Sequence, residues 1–278
     1  MSRVFFGLLA ALLVASAHGA SAPAGHRLRI VSLAPNLTEL AYAAGAGDTL
    51  VGTVEYSDYP ASAKALPRVG DAWRVDVEQV LALEPDLVLV WASGTPVETI
   101  ERLRSMRLRV VPVETFRIAD VAAALRQIGA IAGTDAIAEA AARRYEQEMR
   151  ALQVAHAGVR RLSVFIEIDD EPLYTVNGKH VISEVVSLCG GDNVFANLPQ
   201  LAPPVALEAV LAHDPEVILS TDDTVSDPAE LWRPWTRMRA VRSGTIFALD
   251  SDTLTRATPR LAEGARAVCS ALDTARGK

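Results

Sequence analysis

The chain has 278 residues, two cysteines and a net charge of −7, from 27 Lys+Arg against 34 Asp+Glu. Half its residues are hydrophobic and 22% are charged, which excludes a disordered chain that cannot build a core. The acidic balance excludes a nucleic-acid surface of clustered Lys and Arg, and no apolar run beyond the N-terminus is long enough for a membrane helix.

The N-terminus reads as an export signal. Met1-Ser2-Arg3 is a short positive start, Val4 to Val14 an apolar run, and small residues follow at Ala15-Ser16-Ala17 and Ala20-Ser21-Ala22. This predicts a secretory signal peptide over residues 1–22, cleaved between Ala17 and Ala24. No cysteine lies near the cleavage region to take a lipid anchor. Export places Cys189 and Cys269 in an oxidising compartment, where a pair of thiols usually becomes a disulfide. A bridge would close a loop of about 80 residues, worth roughly 4 kcal/mol in the chain-entropy model. Two buried free thiols are the alternative.

Beyond the signal, strands alternate with helices. Arg29 to Leu33 reads as a strand, followed by a helix capped by Asn36, running through Leu40 and Ala44 and ended by Gly45. Leu50 to Val54 is a second strand, and Val77 to Leu83 a short helix stopped before Pro85. Asp86 to Val90 is apolar on both faces, as a buried parallel strand should be. A helix near Val97 to Met106 and a strand Arg109 to Val113 complete a first lobe over 27–116. Residues 117–157 show no strand signal. Gly133-Thr134-Asp135 divides them, and from Ala136 onward Ile137, Ala141, Tyr145, Met149 and Leu152 fall at helical spacing. One long helix of about 20 residues is expected there, about 30 Å long.

The second lobe, 158–278, opens with a strand at Leu162 to Ile168 and a hairpin-like turn at Asn177-Gly178. A helix from Val181 to Cys189 stops at Gly190-Gly191. Strands at Glu216 to Ser220 and Thr245 to Leu249 precede a terminal helix from Pro259 to Ala275. There is an internal echo: Glu78 to Leu89 resembles Glu208 to Leu219, each a helix, a Pro turn and a buried strand. The fold class predicted is α/β, two Rossmann-like lobes with mostly parallel central sheets bridged by one long helix.

Catalytic motifs are missing. No two of His26, His156, His180 and His213 have metal-ligand spacing, and there is no Cys-x-x-Cys. Gly45-Ala46-Gly47 ends a helix and has Leu50 where a dinucleotide fingerprint needs Gly. Gly178-Lys179 continues into His180 and lacks the upstream Gly of a phosphate loop, and no Gly-x-Ser-x-Gly elbow occurs. Asp169-Asp170-Glu171 and Asp222-Asp223 read as solvated loops. No enzyme, metal or cofactor is expected. Aromatic side chains instead gather at strand ends: Tyr56 to Pro60, Trp91 and Phe116, with Trp73 in a loop, and Asp250, Asp252 and Arg256 past the last strand. An aromatic-walled cleft between the lobes suits a large, flat, partly apolar ligand.

Arg29 to Leu40, with Pro35-Asn36 inside it, resembles the opening of the class III substrate-binding proteins of ABC importers, which carry cobalamin, haem and ferric siderophores. Tyr56-Ser57-Asp58-Tyr59-Pro60, Trp73, Trp91, Cys189 to Phe195 and Arg256-Ala257-Thr258-Pro259-Arg260 are similar to segments of the cobalamin-binding members. The resemblance covers nearly all of the mature chain, in order. It implies a monomeric periplasmic carrier that takes cobalamin or a related corrinoid to a permease dimer. It implies that Tyr56, Trp73, Trp91 and Tyr174 line the cleft, and that Asp252, Thr253, Leu254, Thr255 and Arg256 close it. By the same resemblance Glu78 and Glu208 are the carboxylates that meet permease arginines, and Cys189 and Cys269 form the disulfide of the second lobe. Two positions depart: Thr253 stands where a cobalamin binder has Trp, and Ala202 replaces an aromatic beside Pro203-Pro204. Each lost stacking surface weakens ligand contact by about 1 kcal/mol or more. Trp232 and Trp235 are candidates to compensate. The alternative ligand is haem or a ferric siderophore, whose binders present Arg clusters; here Arg256 and Arg260 stand among mainly aromatic cleft residues.

Overall fold

Ile30, Val31 and Ser32 are all fully buried, because this short strand has a neighbour on both sides and helices on both faces. It is β1 (Ile30–Ser32) of a computed structural model that describes residues 27–71, 74–221 and 227–278. The expected signal peptide, Trp73 and Asp222-Asp223 lie outside the described residues. After β1 come α1 (Pro35–Ala43), β2 (Leu50–Gly52), α2 (Val77–Ala82), β3 (Leu87–Trp91), α3 (Val97–Ser105) and β4 (Val110–Val113). All four strands are parallel, in the order β2-β1-β3-β4, with Ile30 opposite Leu87 and Ser32 opposite Leu89.

Two antiparallel helices follow, α4 (Ile118–Ala132) and α5 (Asp135–Ala155). Gly133 ends α4 in the left-handed conformation, φ 70°, which glycine adopts without the Cβ penalty. At Gly129 the two helices approach so closely that a Cβ would lie 2.3 Å from that of Ala138. Arg126 of α4 pairs with Glu139 and Glu146 of α5, both at 2.6 Å.

The second lobe contains β5 (Leu162–Glu167), the hairpin strands β6 (Asp169–Asp170) and β7 (Leu173–Tyr174), α6 (Val181–Leu188), β8 (Gly191–Asn193), α7 (Leu207–His213), β9 (Val217–Ser220), α8 (Arg239–Ser243), β10 (Ile246–Ala248), α9 (Ser251–Thr255) and α10 (Leu261–Arg276). Its main sheet is again parallel, in the order β8-β5-β9-β10. Ignoring the small hairpin, both lobes therefore place their second, first, third and fourth strands side by side. The echo sits at the third strand of each. Glu84 and Asp214 both have φ 43°, and their carbonyls accept from Arg29 and Arg239 respectively. Asp86 accepts from the Arg29 amide and Glu216 from the Ser163 amide, so the two segments close onto β1 and β5 in the same way.

One hydrophobic core runs through α1, α4, α5, α6 and α10 and reaches both sheets, so the lobes share an interior rather than a thin hinge. Cys189 and Cys269 are disulfide-bonded, tying the end of α6 to α10. Among the described residues no helix is long and apolar enough to cross a membrane.

Three local expectations change. Asn36 does not cap α1; it lies inside the helix, buried, and donates to the Thr115 hydroxyl at 2.9 Å. The hairpin turns at Glu171-Pro172, not at Asn177-Gly178. Asn177 is buried instead, accepting from the Lys179 amide and donating to the Leu198 carbonyl. Gly191, read with Gly190 as the stop of a helix, opens a strand with Asp192 and Asn193 because β5 offers an open edge to pair with, whatever the low strand propensity of the three.

Candidate functional site

The loops that leave the carboxyl ends of the two sheets meet, which is where open α/β sheets hold ligands. From the first lobe comes the loop after β2. Tyr56 sits there at φ 62° and is 77% exposed, a left-handed conformation that a non-glycine residue keeps only when its surroundings impose it. The next residue supplies the constraint. Ser57 is buried, takes a hydrogen bond from the Thr53 hydroxyl at 2.8 Å, and its carbonyl accepts from Arg68 at 3.0 Å. Thr53 also bonds Thr38, and Thr38 bonds Ser32, so a buried chain of hydroxyls runs from β1 to the base of the Tyr56 loop.

Trp91 ends β3. Its indole is half-buried against the shared core, and its Nε1 is buried without a hydrogen-bond partner. Gly94 lies on the ring face: a Cβ there would stand 1.9 Å from Cε3 of Trp91. Tyr174 ends β7 in the second lobe and pairs by backbone with Pro204, which brings the loop of Ala202 alongside it.

From the last strand comes α9, capped by Asp250. Asp252 and Arg256 pair across one turn at 2.7 Å. The other arm of Arg256 crosses to the first lobe and donates to Asp58 at 2.8 Å. The hydrogen bond from Arg256 outweighs burial and holds the Asp58 carboxyl below the usual carboxylate range. Thr253 is largely buried and donates to the Asp250 carbonyl, while Thr255 is exposed. Leu254, expected at the cleft, is fully buried in the core against Gly264. A helical turn presents neighbouring residues to different sides, so α9 cannot offer all five to one opening.

Behind this contact a second pair joins the lobes. Glu39 of α1 accepts from Arg260 through both oxygens, at 2.9 and 2.8 Å, and from the Thr258 hydroxyl at 2.5 Å. The Arg260 guanidinium also lies 4.1 Å over the Tyr59 ring. A cavity of about 550 Å³ opens beside it, lined by Tyr42, Tyr59, Arg144, Tyr145 and Arg266 among others. Glu39 and Thr258 were not singled out from the sequence, and Asp58 and Tyr59 only as part of the strand-end segment Tyr56 to Pro60. All four fall inside the segments that carry the family resemblance, which was the available signal.

Glu78 and Glu208 occupy the second position of α2 and of α7. Both are exposed, with Leu81 and Leu211 one turn further on. Trp232 does not compensate for Thr253 or Ala202: it is fully buried, its Nε1 donating to Glu167 at 2.7 Å and its ring edge-on to Phe165. Trp235 lies beside Leu211 and Met238 at a surface cavity of about 480 Å³, next to α7. Among the described residues no group of three or more His, Cys, Asp or Glu could hold a metal.

Two similar parallel lobes, a shared helical core and strand-end loops that meet between the lobes define a two-lobed solute-binding protein. The chain belongs to the periplasmic binding protein family, whose sequence profile matches residues 30–253. It is 34% identical over 251 residues to the vitamin B12-binding protein of Vibrio parahaemolyticus, spanning 90% of this chain and 91% of that one. The corresponding protein of Pectobacterium carotovorum is 34% identical over 88% of each chain. Among solved structures, the periplasmic vitamin B12-binding protein BtuF of Vibrio cholerae superposes with a TM-score of 0.85 at 34% identity, covering 90% of this chain and 98% of that one. The haem-binding protein HutB of Vibrio cholerae reaches a TM-score of 0.77 at 21% identity, covering 88% and 99%, a likeness of fold.

Proposed function

We propose that the protein captures cobalamin in the periplasm, in the cleft between its strand-end loops, and delivers it to an ABC importer as a carrier rather than a catalyst. The observation that carries this reading is the 34% identity to vitamin B12-binding proteins along about nine-tenths of both chains, together with Tyr56, Trp91 and Tyr174 at strand ends of both lobes. In this reading those rings, with Trp73, flank the corrin, while Asp252, Thr253, Thr255 and Arg256 contact its polar edge. The exported chain acts as a monomer once residues 1–22 are removed. Glu78 and Glu208 engage arginines of a permease dimer, one from each lobe.

The shared core supports delivery with little change of shape. Closing two lobes that rotate freely would need a thin hinge, whereas α4, α5 and the interlobe ion pairs hold these at a nearly fixed separation. Calorimetry of the purified mature protein against cyanocobalamin, haemin and a ferric hydroxamate tests the reading. The expected result is a cyanocobalamin Kd of roughly 1 μM or tighter. Tighter binding of haemin or the hydroxamate, with no cyanocobalamin heat, overturns it.

A further inference from the structure

Cobalamin and haem differ sharply at their edges. A corrinoid presents mostly neutral amides, whereas haem presents two propionates and ferric chelates are commonly anionic. A cleft chooses between them partly through whether its cations are free.

Where the two lobes touch, Arg256 and Arg260 are not free. Arg256 is the cation of the segment facing the first lobe, and each of its two terminal nitrogens already holds a carboxylate, Asp58 at 2.8 Å and Asp252 at 2.7 Å. Its side chain is only 16% exposed, while Asp58 remains 47% exposed. Arg260, the other cation of the interlobe contact, is taken up bidentately by Glu39. The second lobe adds acidic groups just past the end of β5, with Asp169 and Asp170 forming β6. The two guanidiniums that join the lobes, Arg256 and Arg260, therefore already hold carboxylates, and any carboxylate brought to Arg256 must displace Asp58 or sit beside it.

We propose that Asp58 is a specificity-determining residue: by crossing from the first lobe to neutralise Arg256, it makes the cleft favour amide-edged corrinoids over carboxylate-bearing tetrapyrroles and anionic chelates. The inference rests on the cobalamin reading above. Asp252 pairs with Arg256 from within the same helical turn, whereas Asp58 reaches it from the other lobe. Like any aspartate near its ordinary range or below it, Asp58 is ionised at neutral pH, and the Arg256 hydrogen bond favours that form.

The test compares matched ligands: cyanocobalamin and its monocarboxylate derivatives, in which one peripheral amide is hydrolysed, with haemin as a dicarboxylate of different shape. Dissociation constants are measured by calorimetry for the wild type, Asp58→Asn and Asp58→Glu. The wild type is expected to prefer the amide form, and Asp58→Asn to narrow the amide-to-carboxylate preference by about tenfold and to gain haemin affinity. Asp58→Glu, which keeps the charge, is expected to stay near the wild-type preference. A preference unchanged in Asp58→Asn, while the wild type binds cyanocobalamin, overturns this proposal and leaves the cobalamin reading standing. A wild type that binds no corrinoid overturns both. Asp58 is partly exposed, and thermal unfolding of each variant confirms that the comparison is between folded proteins.

Discussion

Glu39 and Arg260 are 221 residues apart in the chain and joined by two charge-assisted hydrogen bonds, at 2.9 and 2.8 Å, between the first helix of one lobe and the loop before the last helix of the other. The Glu39 side chain is 3% exposed and that of Arg260 14%. The carboxylate has a second donor in Thr258 and the guanidinium an aromatic face in Tyr59, so both charges are satisfied with little exposure.

Breaking this pair from one side leaves a buried charge without a partner. Glu39→Ala is expected to destabilise the protein by about 3–5 kcal/mol, and Arg260→Ala by a similar amount. The double variant Glu39→Leu with Arg260→Met should recover much of that loss, because the apolar replacements remove both charges at once. Urea unfolding of the three variants measures it, and a double variant as unstable as the two losses added would show the sites to be independent.

Gly94 is the probe for Trp91. Its missing Cβ is what lets the indole lie over the backbone, so Gly94→Ala must push the ring away. Overpacking of this kind costs about 1–3 kcal/mol of stability. If Trp91 lines the cleft, both Gly94→Ala and Trp91→Ala weaken cyanocobalamin binding by about 1–3 kcal/mol. Lost stability with unchanged affinity in both variants would make Trp91 a core residue only.

The docking carboxylates are tested by transport. Glu78 and Glu208 stand at equivalent positions of two similar lobes, so a two-fold symmetric permease can grip both. Losing one partner of a desolvated pair costs about 2–5 kcal/mol, and two contacts on one rigid body reinforce each other through effective concentration. Glu78→Ala with Glu208→Ala is therefore expected to abolish uptake in vesicles carrying the importer while leaving ligand affinity as it was. Uptake at the wild-type rate would mark them as ordinary surface charges.

His180 predicts a pH dependence. Burial lowers its pKa from the ordinary 6.5 to about 4, and the neutral ring caps α6 by accepting from the Ile182 amide at 3.2 Å. Between pH 6.5 and 4 the unfolded chain binds a proton that the folded chain does not. This contribution is complete above pH 6.5 and is lost as the pH falls toward 4, on the order of 3 kcal/mol in all. His180→Asn retains a capping oxygen and should flatten stability across that window, as read by chemical unfolding at pH 7.5, 5 and 4. An equally steep decline in the variant would assign the effect to other groups.

The sequence by itself determined the architecture. Strands apolar on both faces, helices closed by Gly or followed by Pro, and the repeat from Glu78 to Leu89 and Glu208 to Leu219 are local patterns. Burial periodicity is written along the chain, so two parallel lobes and the long α5 could be read from it. The tertiary structure alone decided who faces whom. Asp58 meets Arg256 across 198 residues and Glu39 meets Arg260 across 221, and no spacing rule reaches that far. Gly191 to Asn193 became a strand only because β5 had an edge to pair, Leu254 turned into the core because one helical turn has several faces, and Trp232 is buried with its indole donating to Glu167, 65 residues away. A sequence records which side chains are to be buried. Which charge neutralises which, and so what a cleft can accept, is set by contacts that exist only when distant segments have packed together.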